Sequence, residues 1–66
     1  MTTEIWVMAH HARELAADGI LFDPCDDDIL IAAAEMAYVP TDLAKLSRDE
    51  RFTIVNAYDQ VARVMI

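Results

Sequence analysis

Four aspartates crowd positions 23 to 28, in the order Asp-Pro-Cys-Asp-Asp-Asp, immediately before the apolar run Ile29–Ala34. Carboxylates set this close can cradle a hard cation, share a proton in acid–base chemistry, or present negative charge to a partner. A calcium loop between two helices needs acids at alternate positions, a glycine at the sharp turn and a distal glutamate. Here proline takes the second position, no glycine follows, and adjacent aspartates cannot all turn towards one ion. The simpler chemistry is helix initiation. The free N–H groups of a first turn favour each acid by about 0.3–1 kcal/mol.

His10 and His11 are the next residues able to do chemistry. Neighbours on a helix point about 100° apart, so a regular helix cannot aim both rings at one metal. His10 and Glu14 stand four apart, yet zinc requires at least three protein ligands and no second paired site exists in the sequence. Cys25 is the only cysteine, which excludes a disulfide. A thiolate there would form against four aspartates, and no motif supplies a base. One glycine in the whole chain rules out a glycine-rich phosphate loop. The expectation is therefore a protein that is not an enzyme and needs no cofactor and no metal.

Charge narrows the partner. Twelve acids against five Lys and Arg give a net charge of -7, so direct nucleic-acid binding is not expected. The imbalance is concentrated in residues 1–42, which hold nine acids and the single base Arg13, whereas residues 43–66 hold three acids and four bases. A C-terminal helix lying on the acidic front would neutralise part of it, and the remainder would be free for a basic partner. The apolar fraction, 56%, exceeds the roughly 45–50% of an ordinary domain, so some apolar surface is expected to stay exposed for contact with another chain.

These residues need elements to hold them. With 66 residues, one domain is expected, and one glycine and two prolines leave little room for turns. Strand-like alternation is absent, so the fold class expected is all-α: a small compact bundle of three main helices, about 3–18, 24–38 and 48–65, plus one short helix, about 41–46. In the first helix, Thr2 or Thr3 caps, Gly19 ends it in the left-handed region, and Ile5, Met8, Ala12, Leu15 and Ala16 face inward. Glu4, His11, Glu14 and Asp18 mark its wet face, and Trp6 lies on its flank with Ala9, His10 and Arg13. Ile20, Leu21 and Phe22 form a connector tucked under the core.

The second helix is expected to be central and mostly buried. Asp23 caps it, Pro24 is its first residue, Asp26 reaches back, and Val39 before Pro40 stops it. Cys25, Ile29, Ala32 and Met36 make one inward seam, and Leu30, Ala33 and Ala37 another. Thr41 caps the short helix, whose Leu43 and Leu46 point inward. Ser47 and Glu50 form a capping box for the last helix. There Ile54, Val55, Tyr58, Val61, Ala62 and Met65 line the apolar side, Asp49, Thr53, Asn56, Gln60 and Arg63 the polar side, and Asp59 pairs with Arg63.

What remains is a strip through Asp28, Ile31, Glu35 and Tyr38 that can only face outward, apolar anchors ringed by negative charge. With Asp27 and Trp6, these are the expected partner-binding residues. The expected function is a protein-binding module, an inhibitor or modulator that docks on a basic surface of a larger protein; if that surface normally holds nucleic acid, the carboxylates would stand in for phosphates. By size and charge alone, the chain is similar to acidic inhibitors carried by phages and mobile elements. The alternative is a homodimer, an assembly piece whose surplus apolar area, the C-terminal "RVMI" included, closes a symmetric interface. No run approaches the roughly 18 apolar residues of a membrane span, and no basic leader opens the chain, so a cytoplasmic location and no membrane partner are expected.

Overall fold

Alanines decide how the helices of this chain approach one another. In the computed structural model, which describes residues 2–22, 27–38 and 42–65, they are carried on an all-α bundle. Its elements are α1 (Thr3–Ala17), α2 (Asp28–Ala37), a single 3-10 turn (Leu43–Lys45) and α3 (Arg48–Met65). The Cα radius of gyration is 10.7 Å, against about 10.8 Å for a folded chain of this length. The expected residues Asp23, Pro24, Cys25, Asp26, Val39, Pro40, Thr41 and Ile66, and the side chain of Met65, lie outside the described residues.

Helix α1 buries Ile5, Met8, Ala9, Ala12, Leu15 and Ala16. That face is broader than expected because Ala9, assigned to the flank beside Trp6, has no exposed surface at all. The small side chains at 9, 12 and 16 let neighbours close in from two sides. Accordingly α1, not α2, is the central element: it packs along both α3 and α2, which meet each other far less. Thr2 occupies the N-cap position of α1 without a side-chain bond, its carbonyl instead accepting from Ile5 N–H at 3.2 Å. At the other end Gly19 adopts φ 79°, with Gly19 N–H bonded to Ala16 O at 3.0 Å and Ile20 N–H to Leu15 O at 3.1 Å. This pair of bonds is the Schellman arrangement, which satisfies two of the carbonyls that a helix end leaves free.

The connector after Gly19 is less buried than expected. Ile20 is 42% exposed and Leu21 80%, and only Phe22 packs against the core. Tyr58 of α3 fixes this segment: its phenol oxygen accepts from Phe22 N–H at 3.2 Å and its hydroxyl donates to Ile20 O at 2.5 Å. A buried phenol needs such partners, and the connector supplies them from its backbone.

The described helix α2 begins at Asp28, four residues later than expected, with Asp27 in the N-cap position. Asp27 makes no cap bond because its carboxylate is turned to Arg51 instead. Ile29, Leu30, Ala33 and Ala34 are buried, and Ala32, Met36 and Ala37 pack partly against the core. After Ala37 the chain turns through Tyr38, at φ 55° and ψ 34°. The 3-10 turn is capped by Asp42, whose carboxylate accepts from Ala44 N–H at 3.0 Å. Leu43 and Leu46 reach the core as expected.

The start of α3 carries the expected capping box. Ser47 N–H donates to Glu50 Oε1 at 2.8 Å, and Glu50 N–H donates to Ser47 Oγ at 3.1 Å. Along the helix Ile54, Ala57 and Tyr58 are buried, with Val55, Val61 and Ala62 packed partly beneath them. Asp59 and Arg63 form no ion pair, contrary to expectation. On a wet helix face such a pair gains only a few tenths of a kcal/mol and must order two long side chains. No helix among the described residues is long and apolar enough to cross a membrane.

Candidate functional site

Helix α2 presents its outer side through Asp28, Ile31 and Glu35, all exposed, with Tyr38 following at the helix end. Steps of three and four residues keep the first three on one strip, and the inward residues at 29, 30, 33 and 34 fix which way the strip points. Ile31 is 44% exposed and Tyr38 93%. Among the described side chains nothing pairs with Asp28 or Glu35, so both carboxylates face solvent uncompensated. The strip joins two apolar groups to two free charges.

Asp27 does not belong to it. Its Oδ1 lies 2.9 Å from Arg51 Nη1, and Arg51 Nη2 donates to the Leu43 carbonyl at 2.7 Å. One guanidinium thus ties the N-terminus of α2, the 3-10 turn and α3 together. The acid expected to meet a partner is engaged within the chain. This contact is also how the more basic C-terminal helix neutralises part of the acidic front.

Trp6 is 55% exposed and is carried by α1, not by the helix that bears the strip. It shares its face with His10, Arg13 and Ala17, all exposed. His10 Nε2 donates to Glu14 Oε1 at 2.6 Å, the contact that the i,i+4 spacing allows. His11, expected on the wet face, is largely covered: its ring stands edge-on to His10 at 5.5 Å, and its Nδ1 is buried without a hydrogen-bond partner. Glu14 Oε1 stands 3.7 Å from it, too far for a hydrogen bond. No group of three His, Cys, Asp or Glu that could hold a metal ion occurs among the described residues.

At the start of α3 the Ser47 backbone N–H, aided by the Ser47 hydroxyl, holds the Glu50 carboxyl below the ordinary glutamate value. That is a helix cap and not a reactive group. Comparison of the chain with protein-family models, with curated proteins and with solved structures finds no match.

The backbone at Tyr38 is the feature that sequence reasoning missed. An aromatic residue in the left-handed region is uncommon, because Cβ crowds the backbone there. The signal available in the sequence was a helix ending before Val-Pro without a glycine.

Proposed function

We propose that the chain is a non-enzymatic binding module, a small acidic helical domain that docks the outer strip of α2 on a basic surface of a larger protein and modulates it by occupying that surface. The observation that supports this reading is the coincidence of two unpaired carboxylates, Asp28 and Glu35, with two exposed apolar groups, Ile31 and Tyr38, on a single helix. Interfaces draw affinity from desolvated aromatic and apolar anchors, and draw register and encounter rate from charge at the rim. With a net charge of -7 the chain repels nucleic acid and attracts basic protein surfaces.

The test is capture of partners by the immobilised chain, compared between wild type and Asp28→Asn/Glu35→Gln at low and high salt. A partner held by this strip is released by salt and captured poorly by the variant. A partner retained equally by both, at every salt concentration, would rule the strip out. Asp27 is unsuited to this comparison because its substitution breaks the contact to Arg51.

A second reading has its own support: Phe52 on α3, Val64 near its end and Leu21 in the connector are all largely exposed, which suits a homodimer. A stable pair must cover about 1,000 Å² or more. Sedimentation across a concentration series decides it, and a monomer at the highest concentration removes it.

A further inference from the structure

We propose that the docking face works as an anchor in a pocket: Tyr38 is the anchor, Ile31 extends it, and Asp28 and Glu35 pair with two cations on the rim of an apolar pocket in a basic protein. This rests on the reading of α2 as the docking helix and adds to it the chemistry of the partner.

The first argument comes from two helix ends within the chain. Both α1 and α2 are followed by a residue with positive φ, Gly19 at 79° and Tyr38 at 55°. Glycine adopts that conformation without steric cost, and at the end of α1 the chain uses it. At the end of α2 it places a tyrosine there and then leaves the ring 93% exposed. The free chain gains no burial from that ring, and no described residue offers it a hydrogen bond or a ring contact. A strained backbone that holds an aromatic side chain out in water is preorganised for something outside the chain.

The second argument is charge complementarity. Asp28 and Glu35 stand seven residues apart, about 10 Å along the helix axis, and Ile31 lies between them. A row of DNA phosphates would place roughly three charges per strand over the same length. Two carboxylates with an apolar residue between them are too sparse to copy a phosphate row, and they suit a pocket with a cation on either side. A second copy of the chain fits poorly, since a two-fold contact would set this strip against its own negative charge.

The experiment uses the full chain with two synthetic probes, observed by amide chemical shifts. One is an amphipathic helical peptide with a leucine face flanked by lysines, standing in for an apolar surface with a cationic rim. The other is a lysine homopeptide of equal charge. The amphipathic peptide is expected to shift Asp28, Ile31, Glu35 and Tyr38, and Tyr38→Gly to weaken it about tenfold or more. The homopeptide is expected to bind more weakly and to ignore Tyr38→Gly. In the same variant the melting temperature should rise by about 2–6 °C, because glycine relieves the left-handed residue. Tyr38→Asn, which tolerates that region without added chain entropy, should also melt higher. If Tyr38→Gly binds the amphipathic peptide as wild type does, the anchor is wrong. The acidic docking reading then survives only if Asp28→Asn/Glu35→Gln still weakens binding. Shifts confined to other helices overturn both, and a lower melting temperature in both Tyr38 variants shows that the residue serves the fold and overturns the anchor.

Discussion

Tyr58 and Phe22 meet twice. Their rings stand edge-on with centroids 5.8 Å apart and planes at 68°, and the Tyr58 phenol oxygen accepts the Phe22 N–H at 3.2 Å. The same hydroxyl donates to Ile20 O, so one side chain of α3 fixes the connector between α1 and α2 through both backbone and ring.

Tyr58→Phe keeps the ring contact and deletes both hydrogen bonds, leaving a part-buried N–H and carbonyl to find other partners. The expected loss is about 1–3 kcal/mol of unfolding free energy. Tyr58→Ala, which also empties the core position, should cost about 3–5 kcal/mol. Urea unfolding of the three proteins measures both steps, and a Tyr58→Phe protein as stable as wild type would mean that the hydroxyl contributes nothing.

The contact between Arg51 and Asp27 is partly exposed on both sides, so its pairwise energy is small despite the 2.9 Å distance. A double-mutant cycle with Asp27→Asn and Arg51→Met should give a coupling below about 1 kcal/mol that shrinks as salt is added. Arg51→Met alone should cost more than the coupling, because it also strips the Leu43 carbonyl of its donor.

Glu50 makes the capping box pH-dependent. Its carboxyl is held below its ordinary range by the Ser47 N–H and hydroxyl, so the folded state binds that proton less readily than the unfolded chain. The stabilisation is complete above the ordinary glutamate range and disappears as pH falls through the lower folded value. Stability measured against pH should decline more steeply on the acid side for wild type than for Glu50→Gln. Parallel curves would separate the cap from the titration.

Ala9 of α1 has no exposed surface. Ala9→Leu should overpack that side of α1 and cost about 1–3 kcal/mol, while Met8→Ala, which opens a cavity in the main core cluster, should cost about 2–5 kcal/mol. Thermal unfolding reads both. A neutral Ala9→Leu would show that α1 is not closely packed on that side.

Local rules were legible in the residues themselves. The capping box of Ser47 and Glu50, the left-handed Gly19, the inward faces of all three helices and the outward strip at 28, 31 and 35 depend on contacts within a few residues, which spacing encodes directly. Ala9, Ala34 and Ala57 were missed because alanine carries no strong preference for either face, and only the approach of a neighbouring helix decides that it is buried.

The tertiary structure decided what depends on long-range geometry. Sequence placed Asp27 among the acids free to meet a partner, but the packing of α3 against the start of α2 delivered Arg51 to it across 24 positions. It placed Ile20 and Leu21 under the core, but an extended connector can turn only part of itself inward, and the reach of Tyr58 selected Phe22. It made α2 the central helix on apolar content alone, whereas the alanine-lined face of α1 lets two helices pack against it at once. Spacing along a helix is fixed by 3.6 residues per turn, and a sequence shows it. Which helix meets which, and so which charge remains free, is fixed by the summed shape of surfaces distant in the chain, and only folding brings them together.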